Sequence, residues 1–194
     1  MDRDEGTSAL EPEEWWRVWM GTHPIAGPAL AGFIATHITT MIGYYLVGIG
    51  LPELRWADFN GFFLGTIAEP IGSFGSFFGG YMLHTFDGIV FAILFAALVR
   101  RRIPLPNTTM GNIGKGAIWG AVLGLISTGF LIPYVYLRVN SPSKFGGGLK
   151  PFSFGGPAGW KLPFAVMLWH IIWGGILGQL YRPPARSVIV AVEV

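Results

Sequence analysis

His37, His84, Asp87, Ser127, Thr128 and His170 are polar groups standing inside long apolar stretches of this chain. Hydrocarbon makes such groups costly, so each needs a partner or a task. Two imidazoles on facing helices can ligate a b-type haem, and one imidazole can ligate the magnesium of a chlorophyll-type pigment. His37, His84 and His170 are the candidate ligands. An aspartate with histidines nearby is also the constellation of a proton relay or proton-coupled carrier. The plainest alternative is that these side chains hydrogen-bond to one another and to hydroxyls, fixing helix register. Counting ~1.5 Å per helical residue, Asp87 lies ~20 Å from Arg100 and His170 ~18 Å from Arg182. Asp87, His37 and His170 then share one depth and are expected to meet, with Ser127 and Thr128, as an intramembrane polar cluster. Gly80, one turn before His84, would leave room there for a flat ring.

Stepping outward, these residues sit on four apolar segments, at about 26–50, 77–99, 113–137 and 163–181. Each is near the ~20 residues that cross ~30 Å of hydrocarbon, and none alternates as a barrel strand would. The expected fold is an all-α membrane protein, a four-transmembrane-helix up-down bundle over residues 26–182. Composition agrees: 52% of residues are hydrophobic and only 12% charged, with mean hydropathy +0.51. A soluble chain carries roughly 25% charge, and a lipid-facing surface explains the deficit. The 29 glycines and 14 prolines suit transmembrane helices, where small residues let backbones approach closely. The absence of cysteine excludes disulfides, thiolate chemistry and iron–sulfur ligation. A net charge of +2 leaves no footprint for nucleic acid.

Residues 1–25 read as an acidic tail followed by an interfacial helix, in which Trp15, Trp16 and Trp19 flank Arg17 and anchor the chain at headgroup level. The opening MDRDEGTSALEPEEWW is acidic, unlike a cleavable signal peptide. Residues 183–194 form a C-terminal tail. With four spans, the N-terminus, the second connection and the C-terminus share one side, holding eight Lys/Arg against five on the other. The Arg100–Arg102 run abuts a span, so both termini are expected on the cytoplasmic side of the membrane. The connection at 51–76, broken by Gly and Pro around Glu69-Pro70, is expected to be interfacial or re-entrant. Phe145, Phe152 and Phe154 in the loop 140–162 point to a partner surface.

YMLHTFDGIVFAILF and MLWHIIWGGILGQLY align on His84 with His170 and on Gly88 with Gly174, 86 residues apart, and Gly32 aligns with Gly116 at 84. Matching separations suggest a duplicated two-helix hairpin, repeated in parallel. No phosphate-binding loop, zinc-protease motif or nucleophile elbow is present, so no catalytic residue and no metal site is assigned.

The stretches GFIATHITTMIGYYL and LPELRWADFNGFFLG, the HxxxG stretches at His84 and His170, and KGAIWGAVLGLI together resemble small uncharacterised four-helix membrane proteins of bacteria and archaea. The resemblance covers most of residues 28–182 and implies the four-helix fold but no site residue. Some proteins of this kind accompany respiratory or photosynthetic complexes. The expectation from the sequence is therefore a non-catalytic accessory subunit of such a complex, partnered by other membrane subunits and lipids. The alternatives are a small haem-b or pigment-binding electron-transfer protein, and an oligomeric channel or proton-coupled carrier built around Asp87.

Overall fold

The computed structural model describes residues 12–65, 74–136 and 159–184. The acidic tail, the Glu69-Pro70 segment, the loop with Phe145, Phe152 and Phe154, and most of the C-terminal tail lie outside them. Every regular element among the described residues is helical. Among the described residues, four helices are long and apolar enough to span a membrane: Ala26–Ile49, Phe74–Val99, Thr109–Ile132 and Lys161–Leu180. The chain is a multi-pass membrane protein, and its spans fall within a few residues of the apolar segments read from the sequence.

Six α-helices order the described residues. Helix α1 (Pro12–Thr22) precedes the first span, α2 (Ala26–Tyr45). The span tightens into a 3-10 turn at Leu46–Ile49 and stops at Gly50, whose φ of 77° is a left-handed conformation that glycine adopts without a Cβ penalty. A short helix, α3 (Trp56–Gly65), leads to the second span, α4 (Phe74–Leu94), which widens to π-helical turns at Phe95–Val99. Thr108 caps α5 (Thr109–Ile126) by accepting from the Gly111 amide at 3.1 Å. The same span continues as a π-helical stretch, Ser127–Tyr136, containing Pro133, which has no N–H to give an α-helical ladder. The last span is α6 (Lys161–Leu180).

Glycine sets how these helices meet. Gly116 on α5 stands against the Gly174 carbonyl on α6, Gly120 against the His170 carbonyl, and Gly178 against the Asn112 carbonyl. On the other side, Gly32 of α2 lies against Gly88 and Ala92 of α4. A Cβ at any of these positions would collide with backbone or a neighbouring side chain, so close backbone approach is what the small residues provide. Helix α2 also packs on α6, while α4 and α5 touch little. Their link is the Trp119 indole, which donates to the Phe91 carbonyl at 3.1 Å, and the π-helical end of α4.

Helix α3 corrects one expectation. The space beside Gly80 holds no flat ring, because the Ala57 carbonyl and the Gly61 backbone of α3 fill it. Ser76 donates to the Gly61 carbonyl at 2.9 Å and seals the same junction. The segment ahead of α3 turns back along α2, with the Leu54 amide donating to the Gly43 carbonyl at 3.1 Å.

Large apolar side chains face outward along the spans, among them Phe33, Met41, Phe78, Met82, Phe86 and Leu125. In water such a surface would cost about 25 cal/mol per Å²; against acyl chains it costs nothing. Helix α1 lies at one end of the bundle. Met20 packs into the groove beside Gly27, and the Trp16 indole donates to the Leu180 carbonyl at 3.0 Å. Of the three expected anchors, Trp16 and Trp19 pack against the core while Trp15 is exposed.

Candidate functional site

A cavity of about 70 Å³ lies where α4 faces α5 across their loose contact. Its walls come from every span and from α3. The polar groups that line it are Thr36, Asn60, His84, Asp87, Ser127 and His170, and Trp56, Trp169 and Trp173 form its aromatic walls. Four of the residues singled out in the sequence thus meet here: His84, Asp87, Ser127 and His170.

His37 does not join them, which corrects the expected cluster. It sits on the α4 side of α2, its Nδ1 on the Phe33 carbonyl at 2.7 Å, its ring against Phe33 and edge-on to Tyr81. The α2 residues buried in the bundle are Thr36, Thr39 and Thr40, which helical spacing puts on another side of the helix. Thr128 also stands outside the cavity, its hydroxyl donating to the Gly124 carbonyl at 2.7 Å.

The two cavity histidines make matching contacts. His84 Nε2 lies 2.9 Å from Thr40 Oγ1, and His170 Nε2 lies 3.1 Å from Ser127 Oγ. In each case the imidazole of one span reaches a hydroxyl of the preceding span. Proton accounting assigns the tautomers. His170 Nδ1 is 2.7 Å from the Val166 carbonyl, so Nδ1 carries the proton and Nε2 accepts from Ser127. Thr40 donates its only hydroxyl proton to the Thr36 carbonyl at 2.7 Å, so its oxygen accepts from His84 Nε2–H. His84 is left with a lone pair on Nδ1. Neither imidazole presents a free Nε2 to a haem iron or a pigment magnesium in this arrangement. The cavity is also smaller than the about 150 Å³ that accepts one benzene.

Asp87 is different. It is half-buried, lines the cavity, and among the described residues takes part in no hydrogen bond and no ion pair. No group of three or more metal-binding side chains occurs among the described residues. A lone carboxylate at membrane depth is held either by a proton or by a cation that comes and goes.

The aromatic walls are not among the residues that stand out in the sequence. Trp56 stacks on His84 at 6.0 Å and meets Trp169 at 4.9 Å and His170 at 5.7 Å. Trp169 donates to the Thr39 carbonyl at 2.6 Å and Trp173 to Thr36 Oγ1 at 3.0 Å, bonding α6 to α2. One signal was available: indoles prefer the membrane interface, and Trp169 and Trp173 stand in mid-span, one turn apart, flanking His170.

A second polar group closes one end of the bundle. Arg100 Nε and its terminal nitrogen donate to Asn112 Oδ1 at 3.2 and 2.9 Å, and its guanidinium lies 5.8 Å from the centre of the Tyr181 ring. Burial pushes the Arg100 guanidinium below its ordinary range and the Tyr181 phenol above its own, the latter opposed by the positive charge of Arg100. Lys115 donates to Asn107 at 2.7 Å. Arg182 pairs with Glu13 at 3.1 Å and donates to Thr109 at 2.8 Å. Helix α1, the α4–α5 turn and the end of α6 are therefore tied together at one end. No family model matches the chain, and no curated protein or solved structure is measurably similar to it.

Proposed function

We propose that this bundle binds and passes protons or small cations, as an oligomeric channel or a proton-coupled carrier, with Asp87 holding the charge. The observation that carries this reading is the Asp87 carboxylate, unpaired among the described residues, on an intramembrane cavity lined by polar side chains. At about 30 Å³ per water, 70 Å³ has room for roughly two waters, enough to solvate a carboxylate at depth. Four spans are few for a complete path, and the loose α4–α5 seam is where a second copy would close it. The contacts Gly32–Gly88, Thr40–His84, Gly116–Gly174 and Ser127–His170 support an up-down bundle made of a duplicated hairpin, each half carrying one histidine–hydroxyl bond and one glycine crossing. The basic end formed by Arg17, Arg100–Arg102 and Arg182 supports cytoplasmic termini in a bacterial or archaeal cytoplasmic membrane.

The test is proton flux into vesicles that enclose a pH-sensitive dye. The reconstituted protein should exceed protein-free vesicles, and Asp87→Asn should remove at least nine-tenths of the excess. Flux indistinguishable from empty vesicles, or full flux in the variant, would refute the reading.

A second reading, a non-catalytic accessory subunit of a respiratory or photosynthetic complex, is favoured by one observation: Asp87 is half-exposed at the α4–α5 seam, where a neighbouring subunit would shield it. Native electrophoresis from mild detergent separates the two, since a subunit migrates with its complex and a homo-oligomeric channel does not.

A further inference from the structure

We infer that the cavity at Asp87 is a binding site for a small protonated amine of the ammonium or methylammonium class; this names the cation for the site proposed above and rests on that reading of Asp87. The inference comes from which hydrogen-bonding roles the walls leave open. The indole N–H groups of Trp169 and Trp173 are engaged by Thr39 and Thr36. Ser127 gives its proton to His170 Nε2, and His84 gives its Nε2 proton to Thr40. What these side chains still present is acceptor capacity: both carboxylate oxygens of Asp87, the Nδ1 lone pair of His84, and lone pairs on Ser127 Oγ. Thr36 can present either character. Among the described residues, no cationic side chain lines the cavity. The complement of such walls is a positive ligand rich in N–H donors.

The aromatic walls narrow the class further. Indole faces attract an ammonium group within about 6 Å of the ring centroid, and more strongly where water is excluded. A dehydrated metal ion needs several oxygen ligands, and one carboxylate with an imidazole does not supply them. Size then sets an upper bound. A cavity of about 70 Å³ admits one or two non-hydrogen atoms with a little water, and it excludes a fully methylated ammonium. The Asp87 charge balances the single positive charge of the amine, so the ion enters without leaving a net charge in the bilayer.

The experiment is a titration of tryptophan fluorescence in the detergent-solubilised full chain, at constant ionic strength and neutral pH, where an alkylamine is protonated. The added salts are the chlorides of ammonium, methylammonium, tetramethylammonium and potassium. Ammonium and methylammonium should give a saturable change. Potassium, which has no N–H donors, should bind at least tenfold more weakly, and tetramethylammonium should give none. Asp87→Asn should weaken methylammonium at least tenfold. The inference fails if neither ammonium nor methylammonium gives a saturable response, if potassium matches them, or if a folded Asp87→Asn binds as the parent does. Should that variant not fold, the comparison of salts on the unaltered chain decides by itself. Amine binding without flux in vesicles would leave this site standing and remove the transport reading; proton flux without amine binding would do the reverse.

Discussion

At the scale of single residues, the side chains in the cavity divide into those already committed to a neighbour and those that are not. His170 has both ring nitrogens engaged, by Val166 and Ser127, and so acts as a bolt between α5 and α6. Bonds of this kind within membranes are worth about 0.6 kcal/mol on average, because the unfolded chain in lipid also finds partners. Ser127→Ala and Thr40→Val are accordingly expected to lower stability by about 0.6 kcal/mol each, measured by reversible unfolding in mixed micelles, while leaving the helix content unchanged. A loss several-fold larger would mean that these bonds organise the whole bundle. Tyr181 gives a prediction with a sign that depends on pH. Burial raises its phenol above the ordinary value of 10.0. The folded state therefore holds its proton where the unfolded state has released it. Stability from Tyr181 is complete below pH 10, falls as pH climbs from there, and is lost once the folded phenol ionises. Tyr181→Phe should flatten the fall in melting temperature above pH 10; an identical alkaline slope would contradict the assignment.

At the scale of elements, the α5–α6 crossing is a backbone-to-backbone contact organised by Gly116, Gly120, Gly174 and Gly178. Gly116→Ala puts a methyl group into the Gly174 carbonyl, and the obstacle is backbone that cannot swing aside. The helices must then separate, losing the packing that holds membrane helices together, so this variant should lose at least 2 kcal/mol, in the range of overpacked cores. Gly175 is the control. A methyl group there meets only Ile113 Cγ2, at an ordinary 3.8 Å, and alanine is the better helix former by about 1 kcal/mol. Gly175→Ala is expected to be neutral or stabilising in the same unfolding assay. The sequence made the spans legible to within a few residues because hydropathy over ~20 residues is set by the bilayer itself. It also made the histidine and glycine matches legible, since separations of 84 and 86 residues need no structure to measure. Which face each residue occupies was not legible. His37 and Thr36 are neighbours in sequence, yet only Thr36 reaches the cavity, and an all-apolar helix has no hydrophobic stripe to show its inward side. Helix α3 was hidden for a related reason. Gly61, which reads as a break, is where Ser76 and Gly80 of α4 pack against its backbone.

At the scale of the whole molecule, one end is bound together by charge and the other by aromatic packing. Arg182 joins α1 through Glu13 and α5 through Thr109, and its own carbonyl accepts from Arg17 at 3.4 Å. Arg100 bridges from the end of α4 to Asn112 on α5 and lies near the Tyr181 ring. Six of the eight basic residues among those described, Arg17, Arg100, Arg101, Arg102, Lys115 and Arg182, therefore gather at this end, and Arg55 and Lys161 remain elsewhere. Membrane insertion retains short, basic flanks in the cytoplasm, so the bound end should face inward and Trp56, capping the cavity, should face out. The chain contains no cysteine, so a single introduced thiol reports its own side without background. Glu53→Cys should react with an impermeant maleimide on sealed cells, whereas Arg101→Cys should react only after the membrane is opened. The reverse pattern would invert the orientation and place the α3 end in the cytoplasm. Labelling of both from the same side would be worse, because two connections separated by one span would then lie on one face, and α4 would not cross the bilayer. A cavity built from all four spans could not survive that result, since His84 and Asp87 both reach it from α4.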